Sequence, residues 1–439
     1  MQPEARKRKL GFWMSTSLVI GNMIGAGIFL MPSALAVYGG ISILGWLASS
    51  VGAILLALVF SKLSNMVAST GGGPYAYARA GFGDYIGFLV AWGYWISVWV
   101  ANAAISIAFV SALGVFFPIL KEEVVAALLL SLGVIWLLTW VNAQGVHSSG
   151  KLQLVTTALK LLPIGVIIIG GFFYFDPDNF IPFNASEESP GVAIALTGTM
   201  TLYAFLGLES ATIPSDKVED PEKTIPRATM VGTVVTTLVY VLSTVVVMGM
   251  IPLESLSRST APFADAMHIM SGKWGEGFVA AGVAIATFGA LNGWILIQSQ
   301  IAQATARDRL FPAIFNRENR KGVPVLGLII GSILTSAVIL MNYTEGLVEQ
   351  FKFMIVLSTL CVLVPYLFSA AAYVTLSLQR VTGGSSLAGI FFLGSAAFAF
   401  SMWAIFGAGE NSVFWGFILL LLGTPIYVIM KWKQNPNPS

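Results

Sequence analysis

The chain has 439 residues, of which 56% are hydrophobic and 10% charged, with a formal net charge of +2. A soluble domain carries about 25% charged residues, so most of this surface is built to meet lipid, and so slight a positive balance excludes a nucleic-acid partner as the basis of function. The single cysteine, Cys361, rules out an internal disulfide and any cysteine-built metal site.

Apolar runs of about 20 residues, the length a helix needs to cross a hydrocarbon core, recur throughout. They are too long and too uniformly apolar for barrel strands, which are about 10 residues long and alternate in polarity. The basic start, MQPEARKRKL, precedes a long hydrophobic stretch without a small-residue cleavage signal and reads as a retained first span. Taken in order between polar breaks, the runs predict twelve spans, over 12–36, 42–66, 84–115, 123–142, 152–174, 192–214, 226–251, 276–304, 324–341, 353–377, 387–407 and 412–430. The fold class expected is therefore all-α and integral to the membrane, a single polytopic domain over 1–439 with no inserted soluble domain. With both termini cytoplasmic and Lys160 set aside, eighteen Lys and Arg residues fall on the cytoplasmic side. Only Lys121, Arg258, Lys273 and Lys352 fall on the other. That asymmetry obeys the positive-inside rule, and an odd number of spans would scramble it.

Spans 1 and 6 differ from the rest. Near mid-membrane, span 1 reads Gly21-Asn22-Met23-Ile24-Gly25-Ala26-Gly27 and span 6 reads Ala204-Phe205-Leu206-Gly207-Leu208-Glu209-Ser210. Non-helical backbone at that depth is tolerated only where it lines a cavity or is buried in protein. Glycine there lets the chain unwind and lets a ligand touch the backbone. Interrupted spans at matching positions of two halves point to a transporter's binding site. The pattern predicts a five-plus-five inverted repeat, with discontinuous spans 1 and 6, over about 12–174 and 192–377, followed by accessory helices over about 387–430. The competing reading is tight helix packing through small residues.

A broken helix leaves unpaired N–H groups on one half and unpaired C=O groups on the other. An α-amino acid has the complementary poles. Its carboxylate fits the amides around Gly25, Ala26 and Gly27, as anions do at helix N-termini. Its ammonium fits the carbonyls of the Asn22–Met23 turn and of the Tyr203–Leu206 turn. Two charges lie inside spans. Glu209 is costly there unless paired, protonated or wet, and reads either as a proton-responsive gate or as an acceptor that ties the broken helix together. Lys160 could snorkel toward Lys151, about 13 Å away along the helix, but Pro163 and the apolar flanks favour the interior, where it could hold span 5 to the unwound part of span 1. Trp294, Tyr203, Trp95 and Trp99 are candidate ring faces for a cation. His147 and His268 are isolated, so no metal is assigned. The chain has no GxxxxGK[ST] loop, so no ATP-driven mechanism and no cofactor are expected.

Three stretches carry a family resemblance: Gly21 to Phe29 with Pro32; Gly71-Gly72-Gly73-Pro74-Tyr75-Ala76-Tyr77-Ala78-Arg79; and Gly207-Leu208-Glu209-Ser210 through Glu219-Asp220-Pro221 to Arg227-Ala228. Together they resemble the amino acid–polyamine–organocation superfamily of permeases. The nearest branch is that of the basic amino acid and polyamine antiporters, the arginine/agmatine exchanger type, to which Met248–Pro252, Asn292-Gly293-Trp294 and Asp308–Pro312 are also similar. The resemblance implies alternating access, with the substrate carboxyl on Gly25 and Gly27, its cationic end on Trp294, and Asn102 and Ser358 completing a pocket that also includes Asn22, Met23, Ala26, Tyr203 and Leu206. Glu209 resembles the family's span-6 glutamate, implicated in proton sensing. Ala26 stands where the exchanger has a serine, and Tyr203 where it has a tryptophan. Lys160 resembles the span-5 lysine of other branches, where an ammonium takes the place of sodium.

The function expected is secondary antiport of a cationic amino acid against a related amine or amino acid. The alternative is a proton-coupled symporter or exchanger of neutral amino acids. A non-transporting solute sensor and a membrane-embedded enzyme find no support, since the chain offers neither a signalling domain nor a nucleophile–base pair. The expected setting is a bacterial inner membrane, with small amino acids or amines and lipid as partners; the oligomeric state stays open between a monomer and a homodimer.

Overall fold

The computed structural model describes residues 9–67, 71–272, 274–341, 347–380 and 386–434, excepting the side chains of 347–359 and 412. Lys273 and the side chains of Lys352 and Ser358 thus lie outside the described residues. Each predicted run falls wholly or partly on helix. Among the described residues, ten helices are long and apolar enough to cross a membrane, including Gly39–Met66, Asp84–Leu113, Val146–Tyr174 and Trp274–Arg307. To these are added the shorter apolar helix Val325–Met341 and one bent pair, Phe12–Met23 and Gly27–Ala36, that meet at 43°. The only β-type pairing among the described residues is an isolated bridge between Leu10 and Val218.

Depth in the bundle follows composition. Span 8 is rich in Gly, Ala, Asn and Gln, and 78% of its most apolar stretch is buried, whereas only 17% of that of the Leu- and Phe-rich span 12 is buried, on the outside of the bundle. Small residues set the close contacts between spans. A β-carbon added at Gly45 of span 2 would lie 2.2 Å from Thr197 Oγ1 and 2.7 Å from the Gly198 amide nitrogen in span 6. Boundaries shift where hydropathy and geometry part. Span 7 starts at Pro221, not 226, because proline suits the first helical turn whatever the polarity of the Glu222–Thr224 segment behind it. Span 6 departs further: its α-helix is Pro190–Leu202, and beyond the break the chain runs in 3-10 turns at Ser210–Thr212 and Ser215–Lys217, not in a second α-helix. Pro214 lies between those turns and lacks the amide a continuing helix would need.

The basic loops gather at one end of the bundle. Lys217 reaches Glu318 at 2.7 Å and Arg307 reaches Asp216 at 2.7 Å. Asp308 accepts from Arg79 at 2.8 Å and from Tyr75 Oη at 2.7 Å, and Asp84 is shared by Arg79 and Lys431. Burial and the Asp308 carboxylate push the Tyr75 phenol above its ordinary pKa, which keeps it a donor. Both ends of the described chain join this layer: Leu10 exchanges backbone bonds with Lys217 and Glu219, and Gln434 donates to the Arg309 carbonyl.

The Gly45 contact gives a direct test. Gly45→Val should lower stability by about 1–3 kcal/mol through overpacking, read as a lower melting temperature of the detergent-solubilised protein; an unchanged melt would contradict the span 2–span 6 contact.

Candidate functional site

The breaks of spans 1 and 6 face a common cavity of about 210 Å³. Span 1 contributes Asn22, Met23, Gly25, Ala26 and Gly27, span 6 contributes Tyr203, Ala204 and Leu206, and span 8 contributes Trp294. Among the described residues, no charged side chain lines it. The two readings of the glycine motif divide along its length. A β-carbon at Gly21 would lie 1.9 Å from Gln153 Nε2, so Gly21 serves packing, whereas one at Gly25 or Gly27 would meet nothing within 4 Å. Those two glycines border open space.

The polarity of the break differs in detail from the expectation. The Gly25 amide is already used, donating to the Met23 carbonyl at 3.0 Å. The amides available to an anion are those at the start of the Gly27–Ala36 helix, which have no intrahelical acceptor. On the opposite face, Lys160 is fully buried and its Nζ donates to the carbonyls of Gly21 at 2.9 Å, Ile24 at 2.7 Å and Ala286 at 3.0 Å. All three of its donors are satisfied, so it faces the interior and does not snorkel. Asn22 is the joint between elements: its Nδ2 donates to Ser210 Oγ at 2.9 Å, and its carbonyl accepts from Trp294 Nε1 at 3.3 Å.

In span 6 the backbone turns at Leu206, which is extended, and at Gly207, whose φ of +108° lies in the region open to glycine. A β-carbon there would also press on Trp294 at 3.1 Å and on the Asn22 backbone at 3.2 Å. Glu209 is fully buried, and both of its carboxylate oxygens accept, one from the Tyr94 hydroxyl and the other from the Tyr366 hydroxyl. Tyr366 in turn accepts from the Gly207 amide at 3.1 Å. Neither Glu209 nor Lys160 lines the cavity.

Asn102 is not brought to the cavity. It is fully buried and donates to Gln298 Oε1 at 2.9 Å, within a polar belt between spans 3, 8 and 9. Its neighbour Ala101 takes the lining position, and Ser97 is the cavity's polar group from span 3. Trp95 and Trp99 meet edge to face, with Trp95 also against Phe311 and Phe315, and neither lines the cavity. His147 bonds the Lys9 carbonyl, His268 lies beside Glu276, and no metal-binding group of three occurs among the described residues.

Comparison with known proteins places this geometry. The profile described as amino acid permease matches residues 10–430. The chain belongs to the amino acid permease family. The permease is 31% identical to the arginine/ornithine antiporter of Pseudomonas aeruginosa, over 98% of this chain and 92% of that one. It is 32% identical to the putrescine transporter PotE of Escherichia coli K12, over 98% and 97%, and 33% identical to the cadaverine/lysine antiporter of the same strain, over 82% of each. Membership makes it a membrane transporter and not an enzyme.

Several residues that hold the permease's site together escape a reading of motifs. Tyr94 and Tyr366 clamp Glu209. Beneath Asn22, Asn292 donates to Gln153 Oε1 at 3.0 Å and to the Ser149 carbonyl at 3.1 Å, while Asn142 donates to Asn292 Oδ1 at 3.1 Å. The available signal was an amide or a phenol in mid-span, where a polar group must find a partner.

Removing the ammonium tests the arrangement at Lys160. Lys160→Met leaves the Gly21, Ile24 and Ala286 carbonyls without their charged donor and should cost on the order of 3 kcal/mol, seen as a lower melting temperature of the purified protein; a melt equal to wild type would show that the break in span 1 does not need this side chain.

Proposed function

We propose that this permease is an antiporter that exchanges a cationic amino acid for a related amine or amino acid by alternating access. The observation that carries the reading is the cavity at the break of span 1, where Gly25 and Gly27 border open space and Trp294 forms one wall. At about 210 Å³ it is smaller than the 300–1,000 Å³ typical of drug-sized sites, a size that suits a single small metabolite. The names of the relatives, with arginine, ornithine, lysine, putrescine and cadaverine among their solutes, support the cationic class.

In this reading the substrate carboxylate sits on the first amides of the Gly27–Ala36 helix, where the helix dipole favours an anion. The α-ammonium sits on carbonyls at the Asn22–Met23 and Tyr203–Leu206 turns. The far cation lies over the Trp294 ring, a contact worth about 0.5–2 kcal/mol when desolvated. Tyr203 closes the pocket from span 6. Glu209 and Lys160 act at one remove: each fixes the backbone of a break, so gain of a proton by Glu209 or loss of one by Lys160 would alter the cavity through the turn it holds. We also assign repeat one to about 12–174, repeat two to about 192–377 and the accessory helices to about 387–430. The basic end belongs to the cytoplasm of a bacterial cell, with both termini there. Chemical cross-linking in the membrane tests whether two copies pair.

The neutral amino acid/proton carrier stays as second reading because no carboxylate lines the cavity among the described residues and its other walls include Ile28, Met31, Val98 and Val362. The two separate in liposomes. Labelled arginine should enter vesicles preloaded with arginine, ornithine or a diamine and not empty ones; indifference to arginine, with uptake of leucine driven by an inward proton gradient, would replace the first reading with the second.

Trp294→Leu keeps an apolar wall and removes the ring face. Apparent affinity for arginine should fall about tenfold, the equivalent of about 1.4 kcal/mol, in a competition-uptake assay, while an unaltered value would take the cation off this wall.

A further inference from the structure

A second cavity, of about 400 Å³, opens between spans 2, 10 and 11 at the basic end and shares no residue with the first. We propose that it binds the phosphodiester headgroup of an anionic membrane lipid. Its lining includes two cations, Lys62 and Arg380, and three hydroxyls, Tyr373, Ser377 and Ser386, and among the described residues contains no carboxylate. Neither cation is ion-paired among the described residues. Arg380 Nη2 donates to the Met66 carbonyl at 2.7 Å. That bond pins the guanidinium across from Lys62, and among the described residues its other N–H groups, of five in all, have no further acceptor and can meet phosphate oxygens. Basic pockets between helices at a membrane surface suit lipid headgroups.

A soluble phosphate would satisfy the same cations. The surroundings favour a lipid, because the polar mouth sits over an apolar floor and wall. Ile390 and Leu393 are buried beneath it, while Phe392 at 72% and Leu378 at 42% are exposed on the adjoining face. Residues so apolar on a membrane helix face hydrocarbon, so an acyl chain can run along span 11 while its headgroup occupies the cleft. The site depends on the chain spanning a membrane, and not on which solute it carries or which face is cytoplasmic.

The test is native mass spectrometry of the full-length protein in detergent with added phosphatidylglycerol or phosphatidylethanolamine, for wild type and for Lys62→Gln/Arg380→Gln. Phosphatidylglycerol should be retained preferentially by wild type, and the double variant should bind it about tenfold more weakly, equivalent to about 1.4 kcal/mol. Should the double variant fold poorly, Lys62→Gln alone alters an exposed side chain, and a loss of about threefold is expected. Equal retention of the two lipids, or retention unaffected by the substitutions, would overturn the assignment. So would displacement of the lipid by millimolar inorganic phosphate or glycerol 3-phosphate, which would make the occupant a soluble anion. Arginine exchange does not enter the readout, so failure of the transport reading and failure of this one are distinguishable.

Discussion

The bond set of Lys160 is the constraint on which the rest of the molecule depends. A helix cannot be interrupted inside a hydrocarbon layer unless its stranded carbonyls find donors. Span 1 strands several, and the ammonium answers the carbonyls of Gly21 and Ile24 from behind while also holding Ala286 of span 8. The charge is buried but not idle, since each N–H has an acceptor. With the rear of the break satisfied in this way, its front can remain open, and the open front is the cavity.

The elements legible in the sequence were those that hydropathy governs. Apolar runs marked the helices, and the asymmetry of Lys and Arg foretold that Arg79, Lys217, Arg307 and Lys431 would share one end, where they now meet Asp84, Asp216, Glu318 and Asp308. The break in span 1 was legible as well, because glycine and asparagine at mid-membrane have few other uses. What could not be read was the division of labour within the motif. Gly21 and Gly25 look alike in a string of letters, yet one packs against Gln153 and the other borders space. That difference is set by a neighbouring helix far along the chain. Asn102 failed for the same reason: a one-residue rotation about a helix turns Ala101 toward the cavity and Asn102 toward Gln298.

Polar side chains in this bundle form two layers with different tasks. The layer around Asn22, Gln153 and Asn292 lies within the hydrocarbon and is built of neutral amides, which exchange donors and acceptors without the desolvation cost of ions. The layer at the basic end is ionic and partly wet, and there carboxylates are shared between cations from separate loops. The charges of that layer sit where water reaches them, while the buried Lys160 and Glu209 are held instead by the carbonyls of Gly21, Ile24 and Ala286 and by the hydroxyls of Tyr94 and Tyr366.

The carboxylate of Glu209 has a mechanical consequence. It stands on the turn after the break of span 6 and is grasped by one phenol from span 3 and another from span 10. Three segments distant in the chain are therefore pinned at a single point, like rods meeting at one rivet. Any swing of the lower part of span 6 either carries Tyr94 and Tyr366 along with it or tears a hydroxyl from an anion in a dry interior. The cheaper course is joint movement, so this point divides the helices into those that travel together and those that stay behind.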